Sequence, residues 1–260
     1  MAAWFDAHNH LQDPRLASAG VAHGPTGFAG VAGGIVNGTA QADWDRVAEL
    51  VTGQPGQLWP AYGVHPWRAH TVQGDWLGEL RGRLETNPAA SVGEIGLDQW
   101  VEQPSIDVQR EVFTAQLALA RELDRPATIH CLRAWGPLFE VFAGQAPPSR
   151  FLMHAFNGSI EVARRLLAMG AYFSFSGYFL HERKAALLEV FRQIPRERLL
   201  VETDAPDLCP PQPAHPLPDG LNHPANLPAI GEALAAHLDL SPAELAKLTA
   251  ENARRCFGLP

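Results

Sequence analysis

Cysteine is scarce in this chain. Cys131, Cys209 and Cys256 are the three in 260 residues, an odd set with no CxxC spacing, which argues against a disulfide framework and for reduced thiols in a cytosolic compartment. Basic charge is scarce as well. The 20 Lys and Arg stand against 28 Asp and Glu, a net charge of −8, so no global positive field attracts phosphate backbones and any nucleic-acid contact has to be local. Long apolar runs are missing too: nothing approaches the roughly 20 consecutive apolar residues of a membrane-spanning helix. Met1 to His10 also lacks the basic segment followed by an apolar one that marks a secretory leader. The expectation is a soluble, unprocessed, cytoplasmic protein. With 46% hydrophobic and 18% charged residues, it is no disordered tail and is long enough to bury a large core.

What is present is an alternation. Short apolar runs at Trp4–Phe5, Phe28–Val36, Leu58–Gly63, Ala90–Val92, Ala127–Ile129, Phe151–Met153, Ala171–Phe175 and Leu199–Val201 read as eight buried strands. Helical patterns at Asp43–Val51, Trp76–Glu85, Asp107–Leu123, Trp135–Phe142, Ile160–Met169 and Glu182–Phe191 separate them. In Asp107–Leu123, for example, Val108, Val112, Phe113, Gln116, Leu117, Ala120 and Leu123 recur at helical spacing. About eight βα repeats in this length fit a (β/α)8 TIM-type barrel in one domain, residues 1–260, better than a doubly wound open sheet. A proline-rich loop, Pro206–Pro228, follows the eighth strand. Two helices, Ala225–Leu238 and Pro242–Phe257, close the chain, the second capped by Ser241.

Histidine is abundant, 11 in all, and its placement matters more than its number. His8 and His10 share one face of an extended segment after the first strand, and two imidazoles on one face can share a metal ion. His130 ends Ala127–Ile129, His154 ends Phe151–Met153, Glu94 follows Ser91–Val92, and Asp204 follows Leu199–Val201. In a barrel these are C-terminal strand ends, where active sites are built. Four imidazoles and two carboxylates converging there are too costly for a core unless paired or metal-bound, and a two-metal site satisfies all six.

The order and spacing of several motifs resemble the TatD-type metal-dependent deoxyribonucleases of the amidohydrolase superfamily. The motifs are Asp6-Ala7-His8-Asn9-His10, Gly63-Val64-His65-Pro66, Gly93-Glu94-Ile95-Gly96-Leu97-Asp98, Ile129-His130, His154-Ala155-Phe156-Asn157-Gly158 and Glu202-Thr203-Asp204-Ala205-Pro206. The likeness continues through Pro224-Ala225-Asn226-Leu227-Pro228 to a last helix around Thr249–Gly258. It implies a barrel in which His8, His10, Glu94 and Asp204 hold one divalent ion and Glu94, His130 and His154 a second, with Glu94 bridging. The ion could be Zn²⁺, Mn²⁺, Fe²⁺, Co²⁺, Ni²⁺ or, more weakly, Mg²⁺. It further implies cleavage of phosphodiester bonds in DNA or another single-stranded nucleic acid by a hydroxide that the metals make available near neutral pH, with Asp204 orienting the water and taking its proton.

His65 and Arg133 are the candidate substrate contacts, each toward a phosphate oxygen. Arg133 departs from the family pattern by one residue, because Cys131-Leu132 separates it from His130. Asp6 reads as a partner that orients a ligand or ties a strand end, not as a ligand. Cys131 has no histidine dedicated to activating it as a nucleophile. His23, His70, His181, His215 and His237 read as loop or surface residues, and only Trp67 and Trp100 are set apart as candidate base-stacking side chains. Two other functions compete: hydrolysis of a small ester, amide or lactone at the same metal site, and a metal-stabilised binding scaffold without turnover.

Overall fold

The computed structural model describes residues 3–21 and 28–260; His23 lies outside them. Among the described residues, eight parallel strands pair in sequence order: β1 (Trp4–Asn9), β2 (Val31–Asn37), β3 (Leu58–Tyr62), β4 (Ser91–Asp98), β5 (Ala127–Leu132), β6 (Phe151–Met153), β7 (Ala171–Ser176) and β8 (Leu199–Glu202). The seam between β8 and β1 is fastened where both strands end. Asp204 N–H donates to the His8 carbonyl at 3.0 Å and His10 N–H to the Ala205 carbonyl at 2.8 Å. Beside them the Asp6 carboxylate accepts the Thr203 N–H at 2.9 Å and hydroxyl at 2.6 Å. The expected barrel is therefore the observed architecture.

Helices cover the outside: α1 (Pro14–Ser18), α2 (Trp44–Thr52), α3 (Trp76–Thr86), α4 (Ile106–Glu122), α5 (Trp135–Gly144), α6 (Ile160–Leu167), α7 (Ala185–Gln193), α8 (Leu227–His237) and α9 (Pro242–Phe257). α1 escapes the periodicity argument because it is a single turn and a half, started by the Asp13 carboxylate accepting from Arg15 N–H and by Pro14. The expected helix from Glu182 begins in earnest only at Ala185, after a 3-10 turn at Glu182–Lys184.

Two apolar layers follow from strand alternation. Trp4, Val36, Tyr62, Val92, Ile129 and Phe173 belong to the large cluster shared with the helices. Phe5, Ala7, Ile35, Ala61, Leu152 and Leu200 form a second cluster with Cys256 and Phe257 of α9. The helix α9 is well specified: Ser241 and Glu244 cap each other's backbone N–H, Pro242 opens it, and Gly258 ends it at φ 67°. Where α8 crosses β1, a Cβ on Gly231 would stand 2.3 Å from the Trp4 ring, so only glycine fits.

Candidate metal centre

Strand irregularities aim the polar side chains. The β1–β2 register shifts between Asp6 and Asn9, and the β4–β5 register between Val92 and Ile95. Regular alternation would send His8 to the face opposite Ala7, so the irregularity in β1 lets it join the interior; shifts of this kind re-aim side chains next to functional sites. The sequence places these groups beyond strand ends, whereas His8 and His130 lie within β1 and β5 and Glu94 in the middle of β4. The apolar run Ala90–Val92 is shorter than the strand because Gly93 and Gly96 interrupt it. Gly96 has φ 145°, and a Cβ there would lie 2.0 Å from the His130 carbonyl oxygen, so close pairing of β4 with β5 requires glycine.

The side chains converge around one buried carboxylate. Glu94 Oε2 lies 3.3 Å from His8 Nε2 and 3.2 Å from His10 Nε2. Asp204 Oδ1 lies 3.1 Å from His8 Nε2 and 3.4 Å from His10 Nε2, and the two imidazole nitrogens are 3.2 Å apart. Donors at 2.0–2.1 Å from a tetrahedral centre stand about 3.3–3.4 Å from one another, so this set fits one divalent ion. The other oxygen, Glu94 Oε1, faces a different group: His130 Nδ1 at 2.9 Å, His154 Nε2 at 2.8 Å and His65 Nε2 at 3.3 Å. His130 Nδ1 and His154 Nε2 are 3.0 Å apart. His8, His10 and Asp204, His8, Glu94 and His154, and His65, Glu94 and His130 each offer three donor atoms close enough to share an ion.

Partners behind these imidazoles fix which nitrogen faces inward. His10 Nδ1 donates to the Asn37 carbonyl at 2.8 Å, which also accepts from the Gln12 amide at 2.6 Å. His154 Nδ1 lies 3.6 Å from Glu202 Oε1, itself accepting the Ala155 N–H at 2.8 Å. His130 turns its Nε2 to Asp98 Oδ2 at 3.2 Å. Asp98 and Glu202 have roles that sequence reasoning missed, although both stand in the quoted motifs, each an acidic residue at the end of an apolar strand. Asp6 is a strand-end partner, joined to Thr203 at the barrel seam; burial raises its carboxyl to about 7 against the hydrogen bonds from Thr203.

Two glutamines of α4 hold the loops that carry these groups. The Gln116 amide accepts from Val64 N–H at 2.7 Å and donates to the Val64 carbonyl at 3.2 Å, next to His65. Gln109 does the same for Asp98, at 2.7 and 2.9 Å.

The charge balance favours a cation. Burial opposes ionisation of Glu94, yet the imidazoles of His154, His65, His8 and His10 outweigh it and hold the carboxyl well below its usual range. Asp204 is depressed too, against burial, by hydrogen bonds from His10 and His8. Burial likewise opposes charge on His10 and His154, and the carboxylates around them (Asp204 and Glu94 for the first, Glu94 and Glu202 for the second) drive both well above the ordinary imidazole value. His65, where burial prevails, falls below it. Such protons are what a divalent ion displaces on binding.

Of the two candidate substrate contacts, His65 is drawn into the cluster, its Nδ1 accepting from Trp67 N–H at 3.2 Å. Arg133 stands at the exposed exit of β5 with φ 56°, its guanidinium 4.0 Å over the Trp100 ring. Cys131 is buried, and burial pushes its thiol far up, as befits a core residue.

A family model described as TatD related DNase matches residues 5–258. The chain is 34% identical over 233 residues to the 3′-5′ ssDNA/RNA exonuclease TatD of Erwinia tasmaniensis, across 89% of this chain and 90% of that protein. It is 34% identical over 202 residues to the uncharacterized metal-dependent hydrolase YabD of Bacillus subtilis, across 77% of each. The crystal structure of YJJV, a TatD homologue from Escherichia coli K12, superimposes with a TM-score of 0.88 at 27% identity, covering 100% of this chain and 99% of that one. Matched over residues 5–258 by the family model and over 89% of its length by a curated relative at 34% identity, the chain belongs to the TatD related DNase family.

Proposed function

We propose that this chain is a metal-dependent phosphodiesterase that trims single-stranded DNA, or a similar single-stranded nucleic acid, from an end. The observation that carries the reading is the division of Glu94, with Oε2 turned to His8 and His10 and Oε1 to His130 and His154. One carboxylate so divided suits two cations: His8, His10, Glu94 and Asp204 would hold one, and Glu94, His130 and His154 the other. Mg²⁺, Mn²⁺ and Zn²⁺ are the candidates. Two divalent ions held there would supply Lewis acidity, making hydroxide available near neutral pH and offsetting the charge that builds up in phosphodiester cleavage.

The chain's own groups do the rest. Asp204, on the same side of the cluster as His8 and His10, orients the attacking water and takes its proton. His65 keeps its proton on Nε2, because Nδ1 accepts from Trp67 N–H; that N–H faces Glu94 Oε1 at 3.3 Å and would turn to a phosphate oxygen once the carboxylate is engaged by metal. Arg133 adds a permanent positive charge at the rim. The names of the Erwinia and Bacillus relatives support this reading of substrate and metal dependence. With a net charge of −8, binding is weak and falls steeply with salt. The three cysteines are unpaired, which supports a reducing, cytoplasmic setting, and no described helix is long and apolar enough to cross a membrane.

The test is degradation of end-labelled single- and double-stranded DNA by metal-stripped protein, restored separately with Mg²⁺, Mn²⁺ and Zn²⁺, with Glu94→Ala and His130→Ala as controls. Metal-dependent shortening from one end, lost in both variants, is expected. If single-stranded DNA and RNA, tested alike, both survive every metal, the reading is overturned and a small ester, amide or lactone is left as the substrate of the same site.

A further inference from the structure

Among the described residues the large apolar side chains most open to solvent are Trp67 (47% exposed), Trp100 (59%) and Met169 (36%). Two of these three stand on one carboxylate beside the metal cluster. The Trp67 indole N–H donates to Asp98 Oδ2 at 2.6 Å, Trp100 N–H donates to Asp98 Oδ1 at 2.6 Å, and His130 Nε2 meets the same Oδ2 at 3.2 Å. Asp98 and Leu132 are register partners at the ends of β4 and β5, so the loops bearing Trp100 and Arg133 leave the barrel side by side. The Arg133 guanidinium rests 4.0 Å above the Trp100 ring and makes no ion pair among the described residues.

A tryptophan kept in water, backed on one face by an uncommitted cation and fastened one carboxylate away from a metal-cluster histidine, is a stacking surface for something flat and anionic. We propose that Trp100, backed by Arg133, is the platform on which a nucleobase of the bound strand stacks while the adjoining phosphate lies at the metal centre. The inference rests on the nucleic-acid reading above and adds to it a position for the base. Every base has a π-face, so the platform is tolerant of sequence, and its strength comes from stacking together with the cation behind the ring. A phosphodiester without an aromatic base gains nothing from it.

Binding of a short, fully phosphorothioate single-stranded DNA, and of the same backbone lacking bases, is measured in Mn²⁺ by fluorescence anisotropy on wild-type protein, Trp100→Ala and Trp100→Phe. Cleavage of the ordinary phosphodiester strand is followed in parallel. The wild type is expected to prefer the base-bearing strand by about tenfold or more, Trp100→Ala to lose that preference without weakening its hold on the abasic backbone, and Trp100→Phe to retain most of it. Because Trp100 is exposed, these variants fold. A preference that persists in Trp100→Ala, or a wild type that binds both strands equally, overturns the platform even if DNA is cleaved. A preference that depends on Trp100 in a protein that cleaves no strand keeps the platform and overturns the phosphodiesterase.

Discussion

Replacing Asp98 with asparagine tests whether the partners behind the metal cluster set its strength. The carboxylate is fully buried and accepts three donors: Trp100 N–H on Oδ1, and the Trp67 indole and His130 Nε2 on Oδ2. An amide of the same shape has one acceptor oxygen and one NH₂. If the oxygen takes the Oδ2 position, the NH₂ abuts Trp100 N–H; if it takes the Oδ1 position, the NH₂ abuts two ring N–H groups. Either way a donor faces a donor where 2.6 Å now separates hydrogen-bonded atoms, and one group must move or go unpaired. An unpaired buried donor costs about 1–3 kcal/mol. Loss of a ligand's supporting partner typically weakens metal affinity by about 10–100-fold, which is about 1.4–2.8 kcal/mol, so the two estimates agree. Titration of metal-stripped Asp98→Asn with Mn²⁺ or Zn²⁺ by calorimetry is expected to show uptake on the His130 side weakened by that factor, with far-UV circular dichroism unchanged. Wild-type affinity in a folded Asp98→Asn would refute the reasoning.

Gln116→Leu strands the Val64 N–H beside His65 and should lower stability in urea by about 1–3 kcal/mol, with a matching loss of activity. Ser241→Ala, which removes one half of the cap at the start of α9, should cost about 0.5–2 kcal/mol by the same measurement and leave activity intact. Native protein treated with iodoacetamide should be alkylated at Cys209, the half-buried thiol, well before the buried Cys131 and Cys256, and Cys131→Ala should keep its turnover. Labelling of Cys131 first, as peptide mass spectrometry would reveal, contradicts its assignment to the core.

Much of this is legible in the sequence alone. Eight apolar runs spaced by helical patterns fix the barrel because a strand buried on both faces cannot be disguised, and His8, His10, Glu94, His130, His154 and Asp204 stand out because so much polarity at strand ends has no place in a core. Less legible was how those groups are aimed. The register shifts in β1 and β4 leave no local signature beyond Gly93 and Gly96, and they move Glu94 from a strand end into mid-strand. Asp98 and Glu202 were invisible as supports because their partners lie far away in sequence, 32 residues for His130 and 47 for Ala155. Arg133 illustrates the same limit: its charge is plain in the sequence, but its rest on Trp100 depends on β4 and β5 being neighbours.

The central claim is that Glu94 is the shared carboxylate of a two-ion centre, and electron paramagnetic resonance of the Mn²⁺-loaded protein tests it most directly. At two equivalents of Mn²⁺ the account predicts an exchange-coupled spectrum from two ions joined through one carboxylate, replaced in Glu94→Ala by the signal of isolated ions or by none. A six-line spectrum of isolated Mn²⁺ at two bound equivalents in the wild type would contradict it.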